Sequence, residues 1–297
     1  NPNRNQNEAF FTSADIAYDC VSWFKPIAEH FANSARRCRI LEPSVGTGNI
    51  LEQVLELCVS VEGLEADLLV VDIDPVMLDF VQLRVAAMKL PTRIQVHFRN
   101  EDFLLTQFDR VPVDDGMPVF DLVIGNPPFS RQRKGALEGL PFEPLTDDLF
   151  GLFWQKALTI AAHVSLITPR ALIATPKYSA IRDRLLEHKV VQIFDFGQRA
   201  FSVNIETMNI ALCVNRPLDM VRVCTWQDQG GTLCLPQEEL WVDALNGLVF
   251  FQDALFHRVL AKLRLGVFSV FRERTSTKSI EKGRGRYRLL GARDIGV

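Results

Sequence analysis

Apolar runs alternate with amphipathic stretches along most of the chain. The stretch "SADIAYDCVSWFKPIAEHFA" has its large apolar side chains at three- and four-residue spacing, which predicts one helix with Ser13 as its N-cap. Short buried runs then alternate with helical patterns. The predicted strands are "CRILEP", "DLLVVDIDP", "IQVHFRNED" and "VFDLVIGNPPF", and the helices between them are "ILEQVLELCVS" and "PVMLDFVQLRVAAMKL". This alternation predicts an α/β fold with a doubly wound, mostly parallel sheet.

The alternation continues to about Pro217. We predict helices in "DDLFGLFWQKALTIAA" and "KYSAIRDRLLEH", and further strands in "HVSLITPRALI", "KVVQIFDFG" and "MNIALCVNRP", which brings the sheet to seven strands. Beyond it, "GLVFFQDALFHRVLAKLR" has a helical pattern and "KSIEKGRGRYRLLGARD" is basic and rich in glycine. We therefore divide the chain into a domain at 1–232 and a linker helix with the start of a basic region at 233–297.

Composition and charge favour a folded protein whose positive charge lies at its C-terminal end. The 297 residues are 47% hydrophobic and 23% charged, which is ordinary for a globular protein, and the net charge is −3. Residues 258–297 nevertheless carry 11 Lys or Arg against three acidic residues, a local net charge of +8. Such a tail either forms a solvated surface or contacts phosphates.

Cysteine and histidine spacing gives no sign of a metal site. The six cysteines are far apart, without a C-x-x-C pair or a histidine at ligand spacing, so we expect buried thiols in a reducing compartment and no bound metal. The five histidines have no nucleophile motif beside them. No stretch approaches the ~18 apolar residues of a membrane span, and no signal peptide is present, so we expect a cytoplasmic protein that contacts no membrane.

A glycine loop follows the first strand. In "LEPSVGTGNI", Glu42 ends the strand, and Gly46 and Gly48 precede a helix, either as an ordinary turn or as a ligand-binding loop. Asp72, at the end of the next strand, follows Gly48 by 24 residues, close to the ~20-residue spacing at which a carboxylate binds ribose hydroxyls. Leu51 interrupts the dinucleotide fingerprint, and Glu42 would repel a phosphate. These features favour a nucleoside with an ammonium and a sulfonium, S-adenosylmethionine.

Two further stretches complete the predicted site. In "FRNEDFL", Asp102 could accept a hydrogen bond from the adenine amine beside Phe103, and it could equally cap a following helix. In "GNPPFS", the Asn126 side chain and the Pro127 carbonyl could accept hydrogen bonds from an exocyclic amine, which releases the nitrogen lone pair for attack. Pro128 stiffens this loop, and Phe129 offers a face on which a planar base could stack.

The stretches "EPSVGTGNI", "DIDP", "NEDF" and "GNPPFS", in this order, resemble the gamma-class DNA adenine-N6 methyltransferases of restriction-modification systems. The resemblance covers roughly residues 9–216 and implies a Rossmann-like methyltransferase fold that uses S-adenosylmethionine. It adds Thr12, Pro43 and Ile73 to the cofactor site, and it assigns Phe201 to stacking on an extruded base. The class usually has Asp or Asn where this chain has Glu42. Its target-recognition domain would begin near residue 240 and is very short or absent here.

The resemblance implies methyl transfer from S-adenosylmethionine to the N6 amine of an adenine flipped out of duplex DNA. Arg131, Arg133 and Lys134, directly after the Asn-Pro-Pro-Phe loop, could hold the flanking phosphates. Expected partners are double-stranded DNA and a cognate restriction endonuclease or specificity subunit. The alternatives are methylation of a guanine amine in ribosomal RNA, methylation of a glutamine in a protein, and a non-catalytic DNA-binding scaffold.

Overall fold

The structure of the protein is a computed structural model. The described residues are 12–34, 36–108, 118–132, 134–198, 205–225, 232–245, 247–250 and 252–264. The chain divides after Gln252 into two units, and the predicted boundary at 232 stays a prediction.

Strands of the described chain form one large sheet and a small antiparallel pair. The strands are β1 Cys38–Glu42, β2 Ala66–Asp72, β3 Ile94–Asn100, β4 Phe120–Gly125, β5 Ala161–Pro169, β6 Lys189–Gly197, β7 Thr207–Cys213, β8 Met220–Thr225, β9 Thr232–Pro236, β10 Trp241–Val242 and β11 Gly247–Leu248. The large sheet has the order β3-β2-β1-β4-β5-β7-β6-β8-β9, and β10 pairs with β11. The strands from β3 to β5 are parallel, whereas β7 runs antiparallel to both of its neighbours.

The described chain has eight α-helices. They are α1 Ala14–Val21, α2 Lys25–Ala32, α3 Asn49–Ser60, α4 Pro75–Ala87, α5 Lys134–Leu137, α6 Leu149–Ile160, α7 Ser179–Leu186 and α8 Ala254–Leu260. Of these, α1 to α4, α6 and α7 pack on the two faces of the sheet. Neighbouring strand residues point to opposite faces, so Ile40 joins an apolar cluster with α1 to α4 while Leu41 joins one with α6 and α7. The predicted α/β class and doubly wound sheet are therefore confirmed.

The strand order reverses between β1 and β4. From β1, the chain adds β2 and then β3 on one side, and it returns to place β4 on the other side. Loops that leave two such neighbouring strands diverge to opposite faces and open a crevice at the carboxyl ends of the strands. This topology fixes where a ligand site can form.

The described sheet has nine strands rather than the predicted seven. The additional strands are β8, which pairs parallel with β6, and β9, which pairs antiparallel with β8. In "MVRVCT", Val221 and Val223 are buried while Met220 and Arg222 are exposed, a period of two that is typical of a half-buried strand. Strand β8 thus covers an edge of β6 that would otherwise present unpaired backbone groups, and β9 covers the far edge of β8.

Two predicted helices have different bounds in the structure. The first is interrupted by a 3-10 turn at Ser22–Phe24, because Pro26 has no N–H to donate to the carbonyl of Ser22. The predicted linker helix forms only as α8, where Asp253 caps the start by accepting from the amide of Phe256. None of the described helices is both long and apolar enough to cross a membrane.

Candidate functional site

A cleft of about 500 Å³ lies at the carboxyl ends of β1, β2 and β4. It is where the strand order reverses, as the fold requires of a ligand crevice. The sequence-predicted residues that line it are Thr12, Glu42, Pro43, Gly46, Asp72, Ile73, Asp102, Phe103, Asn126, Pro127 and Pro128. Five stretches far apart in the sequence thus meet around one cavity.

The glycine loop after β1 makes a sharp turn into α3. Gly46 and Gly48 have φ values of +51° and +81°, in the left-handed region that glycine adopts without strain. The amide of Gly46 donates to Oδ2 of Asp72 at 2.9 Å. A side chain at Gly48 would also meet Val81 of α4 at 3.0 Å. The loop is therefore fixed against β2 and packed against α4.

Glu42 places a buried carboxyl at the bottom of the cleft. Its side chain is only 3% exposed, and its Oε2 atom has no hydrogen-bond partner among the described residues. Burial, and secondly the charge of Asp72, raise the pKa of Glu42 well above its usual range. A cationic ligand group would supply the missing partner and favour the ionised carboxylate. This feature fits the ammonium of S-adenosylmethionine.

The part of the cleft that is predicted to hold the adenosine combines polar and apolar groups. Asp72 accepts from the amide of Asp74 at 2.9 Å through Oδ1, so backbone bonds orient both of its oxygens. Ile73 is 69% exposed although it lines the cleft, whereas Phe103 is buried and packs against Phe153 at 4.8 Å between ring centroids. An exposed aliphatic group and a buried aromatic group thus offer apolar walls for a planar ring.

Asp102 caps a turn as well as lining the cleft. Its Oδ1 atom accepts from the amide of Leu104 at 2.9 Å, and residues 103–105 form a turn rather than the helix considered from the sequence. Because a carboxylate can accept several hydrogen bonds, this cap does not prevent a bond to a ligand amine. The two interpretations of Asp102 are compatible in the structure.

The Asn-Pro-Pro-Phe loop is held by contacts from two other segments. The side-chain Nδ2 of Asn126 donates to Oγ1 of Thr12 at 3.2 Å, and the backbone carbonyl of Asn126 accepts from Oγ of Ser44 at 3.1 Å. A side chain at Gly125 would lie 3.1 Å from the ring of Pro43, so glycine permits the close approach of the two loops. Asn126 is thus oriented with respect to the glycine loop.

Phe129 is half-buried and contributes to packing at the end of this loop. Its ring meets Phe150 edge to face at a centroid distance of 6.4 Å, and it contacts both apolar clusters. A stacking role for Phe129 stays a prediction, because it does not line the cleft.

The predicted phosphate-binding residues are only partly described. Arg131 lies 3.2 Å from Asp147 and 3.9 Å from Asp148, and Lys177 lies 2.6 Å from Asp148. Among these four described side chains, two positive charges are thus paired with two negative ones. Lys134 begins α5, but its side chain lies outside the described part of the structure, as do Arg133 and Phe201 as whole residues. The predicted roles of these residues stay predictions.

Sequence reasoning missed several residues that shape the cleft. Ser44 holds Asn126, and Asn49 donates to the carbonyl of Thr12 at 2.6 Å. Arg84 of α4 donates to the carbonyl of Thr47 at 2.6 Å and to Oδ1 of Asn49 at 3.1 Å. The pattern of apolar and polar residues in the sequence does not predict these tertiary hydrogen bonds. Lys156 is different, because a lone charge in the otherwise uncharged helix α6 can be seen in the sequence.

Comparison with known proteins agrees with this architecture. A family model described as Eco57I restriction-modification methylase matches residues 68–201. Among curated proteins, none matches this sequence significantly.

Solved structures with a similar fold include the following three. The first is described as the modification subunit of a type I restriction enzyme from Vibrio vulnificus YJ016, with 14% identity, coverage of 82% of this chain and 59% of that one, and a TM-score of 0.59. A type I restriction-modification methyltransferase subunit from Streptococcus thermophilus has 16% identity, coverage of 85% and 52%, and a TM-score of 0.54. A protein described as a class I S-adenosylmethionine-dependent methyltransferase from Listeria monocytogenes has 16% identity, coverage of 70% and 64%, and a TM-score of 0.53.

The chain thus spans between 52% and 64% of the length of these structures. At such low identity these structures establish only the fold. The family model, in contrast, matches the amino-acid sequence of residues 68–201. The match confirms the predicted resemblance to restriction-modification methyltransferases. Residues 68–201 therefore carry the sequence signature of the Eco57I restriction-modification methylases, within a chain that has the fold of S-adenosylmethionine-dependent methyltransferases.

Proposed function

We propose that this chain is the methyltransferase of a restriction-modification system and methylates the N6 amine of adenine in duplex DNA. The observation that carries the proposal is the single cleft in which Asn126 and Pro127 meet the glycine loop, Glu42 and Asp72. An amine-orienting loop and a nucleoside site in one cavity are what methyl transfer to a planar nitrogen requires. The family match to residues 68–201 supports the same conclusion.

The residues of the cleft divide between the two halves of S-adenosylmethionine. Glu42 would bind the amino group, Asp72 the ribose hydroxyls and Asp102 the adenine amine, with Ile73 and Phe103 on either side of the ring. Gly46 lets the backbone approach the ligand closely. When bound, the cofactor supplies a methyl group activated on a sulfonium.

The Asn-Pro-Pro-Phe loop would prepare the acceptor amine. The Asn126 side-chain oxygen and the Pro127 carbonyl accept the two N–H groups, which draws the nitrogen out of conjugation and frees its lone pair. Asn126 and Pro127 would hold the amine whose nitrogen takes the methyl group from the sulfonium; the sulfur would keep the electrons of the broken S–C bond, and the amine would lose one proton to water. Thr12 and Ser44 contribute by holding Asn126 in a fixed geometry, which lowers the entropic cost of reaction.

An adenine inside a duplex cannot reach this cleft, so the proposed reaction requires base flipping. Phe129 and Phe201 would stack on the extruded base, and Arg131, Arg133 and Lys134 would contact phosphates beside it. A cognate restriction endonuclease or specificity subunit would complete the system, in the cytoplasm. These assignments extend the proposal to the DNA.

Transfer of a tritiated methyl group to unmethylated duplex DNA tests the proposal. We expect label in N6-methyladenine and a loss of at least about 100-fold in rate for Asn126→Ala, because removal of one oriented transition-state hydrogen bond typically has an effect of this size. Label in RNA or protein instead of DNA, or in another base, would overturn the substrate assignment. Unchanged labelling by Asn126→Ala would overturn the role of that residue.

A further inference from the structure

Lys156 is a buried lysine that the proposed chemistry does not use. It is the single charged residue of α6, "LFGLFWQKALTI", and only 5% of it is exposed. Lysine is rarely buried unless its charge is compensated. No carboxylate of the described residues forms an ion pair with Lys156. Something other than a salt bridge must therefore compensate this ammonium.

Backbone carbonyls compensate it. The Nζ atom donates to the carbonyls of Phe103, Leu104 and Thr106, the second at 3.1 Å. It also lies 5.0 Å from the ring centroid of Phe103 and 5.1 Å from that of Phe108. An ammonium has three N–H donors, so this geometry uses all of them on one short segment.

The segment that Lys156 holds is the turn after β3 that carries the predicted adenine contacts. Asp102 and Phe103 line the cleft. The amides of Leu105 and Thr106 donate to the carbonyl of Asp102 at 3.1 and 2.9 Å, which closes the turn. Lys156 approaches this turn from α6, so its three hydrogen bonds tie the turn to the helix beside it. We call these three bonds the brace.

We propose that Lys156 is a positioning residue that fixes the 102–106 turn and thereby shapes the adenine subsite of the cofactor cleft. The inference rests on the proposed function, because it assumes that the cleft binds an adenosine. A side chain with one donor or none could not hold three carbonyls at once. Loss of the brace should loosen the turn and weaken adenosine binding while the methionine half of the site keeps its contacts.

Ionisation of Lys156 gives the brace a pH dependence. Burial lowers the pKa of Lys156 to about 8, and Asp102, the charged group that acts on it from the facing turn, opposes this shift. Above that pH the neutral amine has two N–H donors for three carbonyls. The folded chain then releases this proton more readily than the unfolded chain, so the group does not reduce global stability as pH rises. A fall above pH 8 in the affinity for an adenosine ligand that has no amino group would therefore report the turn rather than unfolding.

The test compares Lys156→Met with Trp154→Phe by calorimetric binding of S-adenosylhomocysteine and of 5′-methylthioadenosine, which lacks the amino-acid half. Trp154 lies on the same helix and donates to Thr168 of β5 at 2.9 Å, so its variant perturbs α6 without removing the brace. We expect Lys156→Met to weaken both ligands about tenfold or more, since hydrogen bonds to charged groups have effects of this order. Trp154→Phe should lower the melting temperature and leave both affinities within about twofold.

Two readouts separate positioning from a general loss of structure. In the cofactor-free protein, amides 104–106 should exchange hydrogen faster in Lys156→Met than in wild type, and Trp154→Phe should leave them unchanged. The affinity of wild type for 5′-methylthioadenosine, which has no amino group to titrate, should fall above pH 8, and the ratio of wild-type to Lys156→Met affinity for this ligand should shrink over the same range.

The outcomes also distinguish this inference from the proposed function. If wild type binds neither ligand, the proposed function fails. If wild type binds both and Lys156→Met binds them equally well, or if Trp154→Phe weakens them as much, the positioning role of Lys156 is overturned.

Discussion

At the scale of single residues, Glu42 shows how a binding site can carry a cost in stability. A carboxyl that is 3% exposed, with one oxygen unpartnered among the described residues, is poorly solvated when ionised. The raised pKa of Glu42 means that the folded chain binds this proton more tightly than the unfolded chain. Stability from this group is therefore present at low pH and is lost as pH rises above the usual carboxyl range.

Glu42→Gln should consequently separate stability from binding. At pH 7 to 8 we expect a melting temperature at or above that of wild type, with the difference disappearing below about pH 4 because both side chains are then neutral. S-adenosylhomocysteine should bind about 10- to 100-fold more weakly, since its ammonium loses a charged partner. Calorimetry across pH checks both parts, and 5′-methylthioadenosine, which lacks the ammonium, should bind as in wild type. A variant that is less stable at pH 8 would contradict this account of Glu42.

At the scale of elements, the glycine loop joins β1, α3 and α4 through one backbone conformation. A left-handed φ costs a residue other than glycine about 1–2 kcal/mol. Gly46 has such a φ with open space around it, whereas at Gly48 a side chain would also meet Val81 at 3.0 Å.

Alanine substitutions at three glycines should therefore rank in a fixed order. We expect Gly46→Ala to lower the free energy of unfolding by about 1–2 kcal/mol, and Gly48→Ala to lower it further because Val81 must move. Gly139→Ala is the matched control, since its backbone is not left-handed and nothing lies within 4 Å. Urea denaturation measures all three. Equal values for Gly48→Ala and Gly139→Ala would exclude strain in this loop.

Elements with a strong local signal could be predicted from the sequence. The alternating strands and helices predict the doubly wound sheet, and the turn residues after β1, β2, β3 and β4 predict which segments meet in the cleft. Pro26 also marks the break between α1 and α2, and the alternation in "MVRVCT" marks β8.

Other features depend on contacts that only the fold creates. Ser44 and Asn126 are 82 residues apart in the sequence, and their hydrogen bond exists because β1 and β4 are neighbours in the sheet. Likewise, Lys156 finds its three carbonyls about 50 residues earlier in the chain. No local sequence pattern specifies such a partner. The single lysine of an apolar helix suggests that its charge has a partner, but the sequence does not identify the carbonyls that bind it.

At the scale of the whole molecule, the structured sheet extends beyond the domain boundary drawn from the sequence. Strand β9 begins at Thr232, and Gln237 follows it. The Gln237 side chain donates to the carbonyls of Leu186 and His188 at 3.2 and 2.7 Å, and it accepts from the amide of Val190 at 2.7 Å. These buried bonds tie the segment after β9 to α7 and β6.

Two truncations test where the structured unit ends. A chain that stops at Gln252 should unfold cooperatively and bind S-adenosylhomocysteine within about threefold of the longer chain. A chain that stops at residue 232 loses β9 and Gln237 and should be destabilised by several kcal/mol, because buried donors and acceptors lose their partners. The Gln252 truncation also removes the segment of net charge +8, so DNA affinity and its salt dependence should both fall. Equal stability of the two truncations would support the boundary at 232.

The bond from Ser44 to Asn126, together with the close approach of Pro43 and Gly125, joins the two halves of the cleft. A molecule that orders the glycine loop should also order the Asn-Pro-Pro-Phe loop, and the reverse should hold as well. Thermodynamic linkage makes this benefit equal in both directions. In the proposed reaction, a bound methyl donor and a bound target amine should therefore strengthen each other's binding.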